Sequence, residues 1–199
     1  MTESQFDLND VQIIADEIGY QGHLSVSVIR LRHRLFEGGW SAEIQRELVR
    51  RGDAVSVILY DPAKEAVVLV EQFRIGGIDD DCPWMLELVA GVVEPGEDIE
   101  TVAQRETEEE AGLKIGSSEL VYQYYTTAGI CSERVSLFYA ECDSSQARMM
   151  AGLPEENEDI RVHVVPLVQA MQWVRQGKIK NVNTLIGLQW LFYEKNKAR

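Results

Sequence analysis

A chain of 199 residues that is 45% hydrophobic makes one domain of ordinary size with a substantial core, leaving room for a small appendage. Its 33 acidic residues outnumber 19 basic ones, and the net charge of -14 argues against nucleic acid or an anionic membrane as a partner. Cys82, Cys131 and Cys142 have no zinc-like spacing, the opening "MTESQFDLND" lacks the basic and apolar regions of a signal peptide, and no apolar run is long enough to cross a bilayer, so a cytoplasmic protein with reduced thiols is expected.

Along the chain, Ser25 to Leu35 alternates with period two, Arg30, Arg32 and Arg34 on one face and Leu31, His33 and Leu35 on the other, which predicts a strand. "FEGGWS" breaks that pattern, and Gln45 to Arg51 leads into Gly52, where a boundary is expected: residues 1–52 as a β-rich N-terminal region, 53–199 as the main domain. "AVSVILY" and "AVVLVEQFRI" are β-branched runs joined by "DPAKE" and predict a hairpin, and a further strand is expected over Leu86 to Ala90. After an acidic helix come three strand-like runs, "LVYQYYTTA", "RVSLFYAEC" and "IRVHVVP", then amphipathic helices over Pro166 to Gly177 and Asn181 to about Lys195. Mixed strands with helices outside fit an α/β/α sandwich.

The acidic helix carries the chemistry. Pro95-Gly96 marks a turn, Ile99, Val102 and Ala103 recur at helical spacing, and Gly112 supplies a stop, so a helix is predicted from about Asp98 to Ala111. Its last turn holds Glu106, Glu108, Glu109 and Glu110, where the helix dipole disfavours each acidic side chain by about a few tenths of a kcal/mol. Continued by three or four residues, the apolar stripe arrives at Glu106, then at Glu109 and Glu110. Carboxylates on an inward face must take up protons or meet a cation, and a divalent metal answers that need; a charge run of this kind can also be a solvated face.

The full spacing sharpens the reading. Gly91 is followed after five residues by Glu97, after seven by Arg105-Glu106, after two by Glu109-Glu110, and after one by Gly112 and Leu113. That is the Nudix box, and the chain resembles a Nudix hydrolase, with Thr107 standing where the box has an aliphatic residue. The resemblance implies an α/β/α sandwich with a mixed sheet, and hydrolysis of a nucleoside diphosphate linked to another group. It also implies Mg²⁺ or Mn²⁺, two or three ions per site. Oxygen ligands suit such hard cations. Carried over by position, Glu106, Glu109 and Glu110 and the Ala90 carbonyl are metal ligands, and Glu97 and Arg105 orient the loop and the helix carboxylates within the catalytic machinery.

Over nearly its full length the chain is similar to the bacterial ADP-ribose pyrophosphatases, through "RHRLFEGG", "VVLVEQFRI", "PWMLELVAG", "SER", "ENEDIRVHVV" and "LQWL". That resemblance implies ADP-ribose as substrate, cleaved to AMP and ribose 5-phosphate, and a homodimer in which the N-terminal appendage is exchanged. On the loop "LPEENEDI" it places Glu156 as the base that deprotonates water, with Glu155 adjacent as the alternative register, and Glu158 as a further metal ligand. Arg46 and Glu47 would reach the partner's site, Glu133 would hydrogen-bond the terminal ribose, and His23 stands where an aromatic would stack on adenine. Arg51 and Arg74 join Arg46 as substrate-side guanidiniums. Arg74 ends a buried-looking strand, where it is either functional or a strand-end surface arginine. The subfamily has a Ser-Pro-Gly stretch beyond the box; "TTAGICSER" has Ala128 in the proline's place, which leaves the substrate range open. A nucleotide-sugar pyrophosphatase, such as one acting on GDP-mannose, and a non-catalytic nucleotide-sensing module are the alternatives.

Overall fold

Two strands buried along most of their length organise the molecule. In the computed structural model, which describes residues 4–153 and 157–197, β4 (Ala54–Asp61) and β5 (Ala66–Phe73) pair antiparallel around the "DPAKE" turn. Asp61 closes that turn by accepting from the Ala63 and Lys64 amides at 2.9 and 3.2 Å. Near-continuous apolar sequence is what a strand covered on both faces requires. Val55, Val57 and Leu59 of β4, with Val68 and Val70 of β5, join a cluster with Val102, Ala103 and Ala111 of the box helix, α1 (Ile99–Ala111). Ile58, Tyr60, Val67 and Leu69 point the other way, into a cluster with α2 (Leu167–Arg175) and α3 (Val182–Asn196). Alternation along two strands therefore builds both halves of the sandwich.

The sheet is mixed. The path β10-β11-β5-β4-β9-β8 includes β8 (Glu119–Tyr125), β9 (Arg134–Glu141), β10 (Met150–Ala151) and β11 (Ile160–Pro166). Its single parallel pairing is β4 with β9, and the rest are antiparallel. The strand expected over Leu86 to Ala90 is instead two, β6 (Trp84–Glu87) on β5 and β7 (Val89–Val92) on β4. The chain changes partner at Leu88, whose amide leaves the ladder and donates to the Thr184 hydroxyl at 3.0 Å. The short β10 was not anticipated. On the far face, α3 comes close at Gly187, where a Cβ would lie 2.7 Å from Leu88 Cδ1 and 3.0 Å from Ile58 Cγ1.

By contacts the chain divides into two compact units, Met1–Gly52 with Thr127–Glu133, and Asp53–Thr126 with Arg134–Arg199. The first is a three-stranded antiparallel sheet of β1 (Val11–Gln21), β2 (Ser25–His33) and β3 (Ile44–Arg50). β2 stops two residues short of the expected Leu35, because the chain folds back to pair Arg34 with Trp40. β1 and β3 were not read as strands. β1 is exposed along almost all of its length and carries two register irregularities, so no inward stripe marks it. The segment 127–133 joins this unit because Val49 exchanges backbone hydrogen bonds with Ile130 and Ser132, and the Arg51 amide donates to the Ser132 hydroxyl at 3.0 Å.

Candidate metal and hydrolytic site

The site begins at α1. Asp98 caps its first turn by accepting from the Thr101 amide, and Gly112 ends it at φ 69°. Thr107 is fully buried, and its hydroxyl donates to the Ala103 carbonyl one turn back at 2.7 Å. That bond explains how the position tolerates a polar residue among aliphatic neighbours.

Burial separates the four glutamates of the last turn. Glu108 is the solvated one and pairs with Lys114 at 3.3 Å. Glu110 is 2% exposed; its carboxylate accepts from the Ala90 amide at 3.0 Å and from the Gln72 side chain at 3.3 Å. Glu106 lies against Gly91, where a Cβ would stand 2.0 Å from the Glu106 carboxyl carbon, so a side chain at 91 and a carboxylate at 106 exclude one another. Burial above all, then the charges of Glu106 and Glu158, raises Glu110 to a pKa of about 8 against the opposing Ala90 amide and Arg74. Burial likewise, with Glu109 and Glu158, raises Glu106 to about 7 despite Arg105.

Arg105 binds three carboxylates: Glu106 at 2.9 Å, Glu109 at 3.1 Å and Glu97 at 3.9 Å. Glu97 also accepts from the Glu94 amide at 2.9 Å, closing the turn ahead of the helix. With Glu106 and Glu109 drawn to a guanidinium, no three His, Cys, Asp or Glu side chains among the described residues are gathered tightly enough to enclose a cation. The donor set nevertheless fits a hard divalent ion. Burial above all makes the charged forms of Glu106 and Glu110 costly, a cost that a divalent cation would offset, and oxygen is the donor Mg²⁺ takes. Glu106 and Glu110 would hold such an ion, with the Ala90 carbonyl and Glu109 beside them.

Glu158 belongs to the same electrostatic neighbourhood, since its charge contributes at Glu106, Glu110 and Arg74. Gly152, at the stem of its loop, donates to the Glu109 carbonyl at 3.3 Å. Glu155 and Glu156 lie outside the described residues. Arg74 is fixed by Glu87, with Nε and Nη2 at 2.9 and 2.8 Å from one carboxylate oxygen. Burial pulls its pKa down, but the Glu87 hydrogen bond and charge leave it raised. The first unit carries the remaining candidates: Arg46, whose guanidinium donates to the Gln45 carbonyl at 2.8 Å, Glu47 opposite Val28, exposed His23 in the β1–β2 turn, and Arg51, which pairs with Glu133 at 2.7 Å.

Sequence reading missed Gln72 and Glu87. A signal existed for Gln72, because it continues the stripe of Val68 and Val70 on the α1 face of β5 and is a polar residue where a hydrophobic one is due. Glu87 had none beyond its place in an apolar run.

A carboxylate-bearing helix packed on a mixed sheet, with a box glycine against one of its carboxylates, defines the class. The NUDIX domain family model matches residues 50–183, and the chain belongs to the Nudix family. Among relatives, it is 48% identical over 187 residues to the ADP-ribose pyrophosphatase of Escherichia coli (strain K12), covering 94% of this chain and 90% of that one. It is 46% identical over 196 residues to the ADP-ribose pyrophosphatase of Haemophilus influenzae, covering 96% and 90%. The GDP-mannose pyrophosphatase of Cronobacter sakazakii is 32% identical over 188 residues, 92% and 95% of the two chains. A solved structure described as an ADP compounds hydrolase superposes with a TM-score of 0.75, covering 98% of this chain and all of that one; at 16% identity it speaks for the fold alone.

Proposed function

We propose that the protein is a divalent-metal-dependent pyrophosphatase that hydrolyses ADP-ribose to AMP and ribose 5-phosphate. The observation carrying the chemistry is the pair of inward carboxylates with raised pKa values, Glu110 buried and Glu106 largely buried against Gly91. The substrate follows from 46–48% identity to ADP-ribose pyrophosphatases, against 32% to a GDP-mannose pyrophosphatase over a comparable length.

Two or three Mg²⁺ or Mn²⁺ ions, when bound, offset the charge on the pyrophosphate oxygens and orient the attacking water. Glu106, Glu109, Glu110, Glu158 and the Ala90 carbonyl hold them. Arg105, itself paired with Glu97, offsets the repulsion between Glu106 and Glu109 and orients them. Glu156 takes the proton of the water, with Glu155 as the other register. Arg74 grips a phosphate oxygen, which a guanidinium meets at fixed geometry.

The functional form is a homodimer exchanging the first unit, so that Arg46, Glu47, Arg51 and Glu133 contribute to substrate binding and His23 stacks on the adenine. Exchange of an existing element is a low-cost route to such a dimer. A cytoplasmic location fits three free cysteines, and no helix among the described residues is long and apolar enough to cross a membrane.

The test is product analysis with Mg²⁺ on a panel of nucleoside diphosphate sugars. ADP-ribose is expected to give AMP and ribose 5-phosphate with the highest kcat/KM of the panel. Preference for GDP-mannose would replace the substrate, and nucleotide binding without turnover would make this a sensing module.

A further inference from the structure

Glu87 is a buried carboxylate in a strand that has no need of one. It is 3% exposed, between Leu86 and Leu88, which both pack into the cluster under α2 and α3. Its Oε2 accepts both Arg74 bonds, and its Oε1 accepts from Asn181 Nδ2 at 3.0 Å. Asn181 caps α3, its Oδ1 accepting from the Thr184 amide and hydroxyl at 3.1 Å each, and Thr184 in turn receives the Leu88 amide at 3.0 Å. The network leaves Glu87 at one end and returns to its neighbour at the other. Arg74 is thereby tied to the end of α3 and to the point where the chain passes from β6 to β7.

The geometry gives this bracing a direction. Both donors that Arg74 commits go to one oxygen of Glu87, its Nη1 makes no hydrogen bond to a described residue, and its side chain is 40% exposed. The guanidinium is held on one side by Glu87 while part of it stays accessible. Burying the Glu87 charge against a part-exposed arginine is a weak source of stability compared with an apolar side chain of the same volume, so stability alone does not account for it. The same guanidinium also lies within the influence of Glu110 and Glu158.

We propose that Glu87, braced by Asn181, is a positioning residue that fixes the Arg74 guanidinium for a diphosphate oxygen of the substrate. The assignment rests on the reading of Arg74 as a substrate-side residue and is independent of which sugar the diphosphate carries.

The experiment is a double-mutant cycle on binding of non-hydrolysable α,β-methylene ADP-ribose in the presence of Mg²⁺, read by calorimetry. Glu87→Gln, which keeps shape but removes the charge, is expected to weaken binding about tenfold, as loss of a charge-assisted bond does. Arg74→Ala is expected to weaken it at least as much, and the double variant no further than Arg74→Ala alone. Asn181→Ser keeps an acceptor for the α3 cap but loses the donor to Glu87. It is expected to weaken binding about threefold, an effect that vanishes in the Arg74→Ala background. Should Glu87→Gln fail to fold, the Asn181→Ser arm decides. Losses that persist in the Arg74→Ala background, or wild-type binding by Arg74→Ala, overturn the proposal. Substrate identity is judged separately by wild-type turnover: if GDP-mannose is the substrate, the cycle is run with its methylene analogue and the 87–74 coupling is judged in the same way.

Discussion

Glu110 and Asp61 are both almost fully buried carboxylates, yet their surroundings push them in opposite directions. Glu110 has one amide, one carboxamide and two acidic neighbours contributing to its field. Its pKa is raised, so the stability cost of its charge grows as pH rises from its ordinary value towards 8. Glu110→Gln is expected to lower kcat at least ~100-fold across a Mg²⁺ titration, through loss of a metal ligand. The variant should melt no lower than wild type in metal-free buffer at pH 8. Near wild-type turnover in that titration would remove Glu110 from the metal site. Asp61 accepts from the Ser144 hydroxyl at 2.6 Å, the Ser144 amide at 3.0 Å and two turn amides, led in effect by the hydroxyl, and its pKa falls to about 2. A depressed carboxylate stabilises the fold above its ordinary pKa of 3.8, and that contribution is lost as pH falls towards 2. The melting-temperature gap between wild type and Asp61→Asn should therefore be full at pH 5 and close by pH 2, followed by circular dichroism.

At the scale of elements, α1 and α3 are positioned by different means. α1 sets the site through side chains, and its apolar stripe of Val102, Ala103 and Ala111 fits the sheet at helical period. α3 packs through the absence of one, at Gly187. Gly187→Ala would gain helix propensity on an isolated helix, by roughly 1 kcal/mol. Here the new Cβ meets Leu88 Cδ1 at 2.7 Å, so overpacking is expected to win and the variant to lose about 1–3 kcal/mol, measured by urea denaturation. Because Leu88 follows Glu87, the same change should also weaken substrate binding. A stabilised variant would show that α3 can shift without disturbing the sheet.

For the molecule as a whole, the decisive question is whether a site draws on two chains. Arg46→Ala is expected to raise KM more than it lowers kcat, since a positioning arginine contacts ground and transition states alike. Subunits bearing Arg46→Ala mixed with subunits bearing Glu110→Gln should recover activity, because each heterodimer then keeps one site with both residues intact. Absence of recovery after confirmed subunit exchange would mean that each chain supplies its own Arg46. The net charge of -14 bears on the same scale. Long-range steering opposes an anionic substrate, so kcat/KM is expected to depend on the local field of divalent cations and arginines at the site.

Elements whose periodicity reports burial can be read from the chain alone. β4, β5, β9 and β11, the three α-helices of the described residues and the inward placement of Glu106 and Glu110 are legible because apolar residues recur at the period of the structure they form. Where burial is one-sided or absent the signal fades, and exposed β1 left no stripe to read. The rest follows from contacts made as the chain closes on itself. The break at Leu88 depends on which strand lies alongside, the Arg105–Glu97 pairing depends on where the loop before α1 returns, and the contact of Arg74 with Glu87 joins residues that only strand pairing brings together. Local sequence sets periodicity and capping because those energies come from neighbours along the chain. The Arg74–Glu87 pair and the depth of Glu110 are set by residues distant in sequence, and those are chosen only when the sheet closes.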